Sequence, residues 1–166
     1  MASLEFLKTR RSVREYSDKI IPKAVLENIV EAAGFAPTAR NVQPWKFVVI
    51  TQAATLKELS DLAENARFLA QAKACIAVFC VDTKYYLEDG CAATCNILIA
   101  AASLGVGSCW VAGDKKDYCP QVGKLLNAPD SYKLVSLISL GYPKQNTSFY
   151  VADKKPLNEI FLWENF

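Results

Sequence analysis

Arg10-Arg11-Ser12-Val13-Arg14 places three guanidinium groups and a hydroxyl within five residues. Guanidinium forks match phosphate oxygens two at a time, and a serine hydroxyl or a free backbone N–H adds a further bond. The spacing suits a phosphate monoester or another compact anion. A solvated basic turn following the amphipathic stretch Leu4-Glu5-Phe6-Leu7-Lys8 would look the same over this pentapeptide. A second polar cluster lies at Ala36-Pro37-Thr38-Ala39-Arg40-Asn41-Val42-Gln43-Pro44-Trp45. Pro37 ends the preceding helix and Pro44 forces an extended entry into the next strand. Side-chain amides both donate and accept, so this loop suits a ligand edge with alternating donors and acceptors. Taken alone it is also an ordinary helix-to-strand loop.

Other chemistry is excluded by what the chain lacks. The absence of histidine removes most zinc sites and every Ser-His or Cys-His catalytic arrangement. Of six cysteines, Cys75 and Cys80 sit in an apolar run, Cys91 and Cys95 are four apart in a helical pattern, and Cys109 and Cys119 are isolated. No Cys-x-x-Cys pair is present, so buried packing is expected for the thiols and no metal. Net charge is only +2, with both signs interleaved, which argues against nucleic acid as a partner. No apolar run reaches the roughly 18 residues of a membrane span. Glu5, Lys8 and Arg10 interrupt any signal-peptide core, and a cytoplasmic location is expected.

The elements that must position these clusters are legible in the pattern. Hydrophobic residues at 52% and charged residues at 22% indicate a globular chain, expected to form one domain over residues 1–166. Pro22 opens a helix whose apolar positions Val25, Leu26, Ile29, Val30, Ala32 and Ala33 run to Gly34. Residues 46–51 read as a strand. Thr55 to Leu62 reads as a helix, with Thr55 and Glu58 as a capping box. Residues 74–81 are continuously apolar and suit a strand covered on both faces. Asp89 to Leu104, alanine-rich and nearly apolar all round, belongs at the centre of a fold or a subunit interface. Strands are expected at 107–111 and 134–140, with a short helix at 121–126 between them. The expected architecture is α+β with a three-layer tendency and an extended C-terminal arm.

Together these pieces resemble one family. The chain is similar to small members of the FMN-dependent nitroreductase family. The match runs through Arg10 to Arg14, Pro37 to Trp45, the alanine-rich helix leading into Leu104-Gly105-Val106-Gly107-Ser108-Cys109-Trp110, then Leu140-Gly141-Tyr142-Pro143, and Lys154-Lys155-Pro156-Leu157-Asn158-Glu159-Ile160. The resemblance implies a three-layer fold, with a central mainly antiparallel sheet flanked by helices. It also implies an intertwined homodimer with FMN at the subunit interface. Arg10, Arg11 and Ser12 would then hold the phosphate and ribityl chain, and Arg14 would reach the pyrimidine end of the ring. A cation there stabilises the anionic reduced flavin. Pro37, Thr38, Ala39 and Asn41 would come from the partner subunit. Trp110, Val111, Ala112 and Gly113 would pass along the ring, with a backbone N–H near Ala112 meeting N5. Lys154 or Lys155 would complete the phosphate site.

The implied activity is a ping-pong oxidoreduction. NADH or NADPH gives hydride to the flavin and is replaced by a small-molecule electron acceptor such as a nitroaromatic or quinone. No protein acid or base is required, so no catalytic residue is assigned. Reductive dehalogenation or ene reduction on the same fold, or flavin binding without catalysis, would use the same basic cluster. Thr38 and Ala39 stand where relatives often carry serine, and Lys154 where arginine is common. Only Asp82 to Glu88 joins the Cys80 strand to the long helix, where longer relatives insert lid helices, so an open pocket is expected.

Overall fold

The computed structural model describes residues 7–147, 149 and 153–166. Helix α1 (Lys23–Gly34) leads through a short 3₁₀ turn (Ala39–Asn41) into strand β1 (Trp45–Ile50). Helix α2 (Ala53–Leu62) and a 3₁₀ segment (Glu64–Gln71) precede strand β2 (Ala74–Val81), followed by helix α3 (Tyr86–Ser103). Strand β3 (Gly107–Ala112), helix α4 (Cys119–Leu125), strand β4 (Tyr132–Gly141) and the single turn α5 (Leu157–Ile160) complete the order. The sheet runs β1-β2-β4-β3 with every neighbour antiparallel. This is the α+β architecture with the central antiparallel sheet expected from the sequence.

Each face of the sheet carries its own core. Ile29 and Ala33 of α1 and Ala93, Ile97 and Ala101 of α3 bury against Ile76, Val78, Ile138 and Leu140. On the other face Leu56 and Leu59 of α2, Leu69 of the 3₁₀ segment and Val122 of α4 cover Cys75, Ala77, Phe79 and Leu137. Strand β2 is therefore buried on both sides, which explains its unbroken apolar run. Cys75 and Cys80 sit within it, and burial pushes both thiols up to about 12, far from reactivity at neutral pH. Among the described residues no group of three or more His, Cys, Asp or Glu could hold a metal ion. Nor is any described helix long and apolar enough to cross a membrane.

A bulge in β4 sets the fit between α3 and the sheet. Val78 pairs with Ser136 while Phe79 pairs with Leu134, leaving Val135 as the extra residue. The Ser136 hydroxyl lies 2.7 Å from Thr94 Oγ1 of α3, which also donates to the Gly90 carbonyl. A Cβ at Gly90 would fall 2.7 Å from Val135 Cγ2 and 3.0 Å from Cys80 Sγ, so only glycine lets helix and strand approach this closely.

The expected capping box is corrected here. Helix α2 begins at Ala53 with Gln52 in the cap position and no side-chain cap bond, leaving Thr55 and Glu58 inside the helix. Ala53 and Ala54 are the strongest helix formers, and the Leu56 N–H to Gln52 carbonyl bond of 3.0 Å extends the helix past Thr55. Helix α3 likewise starts at Tyr86, three residues before Asp89, which places Glu88 and Asp89 in its first turn where acids favour the dipole.

The segment before α1 runs along the far edge of the sheet. The Val13 N–H donates to the Ser108 carbonyl at 2.9 Å, and the Ser17 N–H to the Tyr142 carbonyl at 2.8 Å. Val13 occupies the space over Gly107, and Tyr16 the space over Gly141, leaving room for no Cβ at either glycine. Tyr16 further donates to the Val13 carbonyl at 2.6 Å and lies 2.6 Å from Ser139 Oγ. At the other terminus residues 153–166 are exposed throughout, including Leu157 at 69% and Trp163 at 81%.

The close approach at Gly90 yields a paired test. Gly90→Ala is expected to lower stability by about 1–3 kcal/mol through overpacking. Gly123→Ala, in α4 with nothing within 4 Å of its added Cβ, should be neutral or stabilising. Thermal unfolding of the two variants beside the parent checks the opposite signs.

Candidate flavin-phosphate site

The edge segment turns the arginine cluster into a shaped surface. Val13 and Tyr16 are buried, and Arg14 and Glu15 between them are exposed. Burial pushes the Cys109 thiol up, while the Arg14 charge, a hydrogen bond from Ser12 and the Arg10 charge all pull it down. Arg14 lines one opening together with Cys109, whereas Arg10 lines another with Gly107 and Ser108. The Arg11 guanidinium instead folds back, donating to the Lys8 carbonyl at 2.7 Å and the Arg10 carbonyl at 2.9 Å. Among the described residues none of these three arginines is ion-paired with a carboxylate. Three cations this close repel one another, so an anion is the natural counter-charge.

Two openings flank the segment. One, of about 270 Å³, is lined by Arg10, Arg11, Gly107, Ser108 and Phe149. Ser108 is one of the lining residues, and its Oγ is buried with no hydrogen-bond partner among the described residues. Such an orphan hydroxyl costs about 1–3 kcal/mol unless something fills its bonding capacity. The second, of about 170 Å³, is lined by Arg14, Phe68, Trp110, Val111, Ala112 and Tyr118 among others. The Arg14 guanidinium lies 5.6 Å from the Phe68 ring centroid. The Tyr118 hydroxyl donates to the Ala112 carbonyl. The Gly113 N–H is committed to the Val135 carbonyl at 3.1 Å, so it is not free to meet a ligand. A larger groove of about 720 Å³ lies between α4 and the start of β4, but none of the cluster arginines lines it.

The loop Pro37–Gln43 lies elsewhere. Asp89, buried in the first turn of α3, accepts the Thr38 hydroxyl at 3.0 Å and the Ala39 N–H at 3.1 Å. Thr38 Oγ1 in turn accepts the Gln43 N–H at 3.2 Å, and Gln43 Nε2 donates to Asn41 Oδ1 at 2.9 Å. Ala102 and Gly105, by contrast, line the arginine opening at the other end of α3. At a 1.5 Å rise per residue the stretch from Asp89 to Ala102 spans roughly 20 Å. Within one chain the structure brings Arg14 together with Trp110, Val111 and Ala112, and Arg10 and Arg11 together with Gly107 and Ser108, on two neighbouring openings. It does not bring Pro37, Thr38, Ala39 or Asn41 to them. Lys154 and Lys155 are exposed on the C-terminal arm and line neither opening.

Several site residues escaped the sequence reading. Phe68 comes from a 3₁₀ segment with no clear periodicity, and Tyr118 from a turn. Ser108 was part of a matching motif but gave no sign of being an orphan. Asp89 carries a usable signal, as a carboxylate adjoining the alanine-rich apolar stretch of its helix.

Comparison with known proteins gives one result. The model for the nitroreductase family matches residues 7–81 and 65–142. A protein of Archaeoglobus fulgidus, provisionally named as an NADH dehydrogenase/NAD(P)H nitroreductase, is 39% identical over 160 residues, covering 92% of this chain and 91% of its own length. An FMN-dependent nitroreductase structure from Clostridium difficile superposes with a TM-score of 0.90 at 28% identity, covering 98% of this chain and 99% of that one. A Desulfovibrio desulfuricans structure solved in complex with FMN gives a TM-score of 0.83 at 29% identity, covering 100% and 98%.

The orphan hydroxyl makes a prediction of opposite signs. Ser108→Ala should raise the melting temperature of the ligand-free protein, because it deletes an unsatisfied polar group. It should also reduce the stabilisation gained on adding inorganic phosphate. Thermal unfolding across a phosphate titration checks both.

Proposed function

The chain belongs to the nitroreductase family, and on that premise we propose that it is an FMN-dependent NAD(P)H oxidoreductase reducing a small acceptor such as a nitroaromatic or quinone. The observation that carries the reading is the unpaired arginine cluster beside the buried, unpartnered Ser108 hydroxyl. A phosphate monoester would supply both the negative charge and the missing hydrogen bond, so the residues present fit FMN. When bound, the flavin supplies hydride transfer between the nicotinamide donor and the acceptor.

The chain's own residues then have distinct tasks. Arg10, Arg11 and Ser12 bind the phosphate and the polyol. Arg14, at the boundary of the second opening, places a positive charge where negative charge accumulates on reduction. Val111 and Ala112 form a rigid β-strand wall, with Trp110 at its exposed edge. The Tyr118 bond to the Ala112 carbonyl fixes the turn beside it. Since the Gly113 N–H is occupied, the backbone N–H offered to the ring would be that of Ala112. No side chain is assigned as a proton donor.

The site is completed by a second copy. The roughly 20 Å along α3 separates loop 37–41 from the arginines, so only a partner's loop reaches the same flavin. The arm exposes Leu157, Ile160, Phe161, Leu162, Trp163 and Phe166, an apolar surface that a lone chain leaves in water. Helix α3 adds a half-exposed strip at Cys91, Ala92, Ile99 and Ala102. Docking of the arm onto the partner would bring Lys154 or Lys155 to a phosphate. The connection from β2 to α3 is only Asp82 to Tyr85, too short for lid helices, which leaves Phe68 and Tyr118 as walls and admits bulky acceptors.

Two measurements test the proposal. Titration of apo-protein with FMN and riboflavin should show strong preference for FMN, and Arg10→Ala should weaken FMN binding at least tenfold. This follows from about 1.5–3 kcal/mol for a charge-assisted bond. Equal affinity for the two flavins would overturn the phosphate assignment. For assembly, the melting temperature is expected to rise with protein concentration, as for a dimer without a stable folded monomer. Sedimentation showing a folded monomer at micromolar concentration would contradict it.

A further inference from the structure

We infer that Asp89 is a positioning residue, whose carboxylate presets loop Pro37–Gln43 in the shape that flanks the flavin of the partner subunit. This rests on the proposed function above. Asp89 is the one carboxylate among the buried polar residues of the described part of the chain, at 5% exposure. An acid in the first turn of a helix ordinarily serves the N–H groups of its own helix. Here both carboxylate oxygens instead face a segment about fifty residues away in sequence, one taking the Thr38 hydroxyl and the other the Ala39 N–H.

The loop needs such an anchor. Arg40, Asn41 and Gln43 adopt φ values of 55°, 56° and 49°, in the left-handed region where only asparagine of the three is at ease. Side chains with a Cβ hold that conformation only where surrounding bonds over-determine it, and such clusters gather at ligand sites. From Asp89 the bonds run through the Thr38 hydroxyl to the Gln43 N–H and from Gln43 Nε2 to Asn41, closing the loop on itself. The anchor is rigid because the next residue is Gly90, seated against Val135. The Thr38 hydroxyl is thus turned inward, and its role at the flavin is to shape the loop rather than to touch the ring.

The test compares Asp89→Asn, Thr38→Val and Thr38→Ser in the full chain, titrated from the FMN-free to the FMN-loaded protein. Each is examined by FMN titration, by visible circular dichroism of the bound flavin and by thermal unfolding. Asp89→Asn and Thr38→Val should each weaken FMN binding by about tenfold or more and alter the flavin dichroism, as expected for loss of a hydrogen bond to a charged group. Thr38→Ser, which keeps the hydroxyl, should restore the dichroism lost in Thr38→Val. Should Asp89→Asn fail to fold, the two Thr38 variants decide alone. The inference is overturned by a fall in melting temperature with unchanged affinity and dichroism. It is equally overturned if Thr38→Ser behaves as Thr38→Val. Failure of the parent protein to bind FMN would instead overturn the reading on which the inference rests.

Discussion

The seating of α3 on the bulged strand β4 is the contact on which the rest of the molecule depends. One extra residue in β4 turns both Val135 and Ser136 toward the helix. Gly90 takes the first at a distance no side chain would allow, and Thr94 hydrogen-bonds the second. Apolar packing alone would let an alanine-rich helix slide along its groove, because small side chains interlock weakly. A buried hydroxyl pair is satisfied in one register only, so it fixes the helix along its axis. Both functional ends then follow. The N-terminal turn of α3 carries Asp89 to the loop, and its C-terminal turn carries Ala102 and Gly105 to the arginine opening.

Electrostatics supplies what packing cannot. The body of the domain holds few opposed charges, and its ion pairs, such as Lys57 with Asp61 and Lys133 with Asp82, are exposed and contribute little to stability. The arginine cluster is different because its charges share no carboxylate. Folding pins Val13 under the edge of the sheet and so holds these cations together at an energetic disadvantage. A group gathered against its own repulsion is one that a bound anion would compensate. Placing an orphan hydroxyl in the same opening adds a directional requirement to the charge.

Much of this was legible in the sequence, and unevenly so. β2 was read residue for residue, because a strand buried on both faces has no polar position to blur its ends. β4 and α3 show the same uniform hydrophobicity, with starts displaced by two and three residues and ends by one. Helix α2 defeated the capping signal because two alanines preceding Thr55 favour the helix more strongly than a threonine cap terminates it. The 3₁₀ segment Glu64–Gln71 went unread, since its kink at Ala66 breaks any single period. Among the site residues, the arginines announced themselves by local density. Ser108, Phe68 and Asp89 belong to the site only through contacts between segments far apart in sequence, which no local pattern records.

The division of the site between two ends of one helix has a consequence for assembly. A monomer would carry a phosphate-binding half without its loop, and a loop without its flavin, each strained or repulsive for no return. In the proposed dimer a two-fold pairing along α3 would remove both defects in one step, because antiparallel placement of two such helices would set the Asp89 end of each beside the arginine end of the other. The half-exposed strip of α3 supplies the surface for that contact. The apolar arm supplies the rest, since Trp163 and Phe161 already stack edge to face with a 4.9 Å centroid separation and nothing in their own chain to cover them among the described residues. In the proposed dimer, pairing would be part of making the site: the buried area would stabilise the pair, and the geometry of α3 would make the stable pair also the complete one.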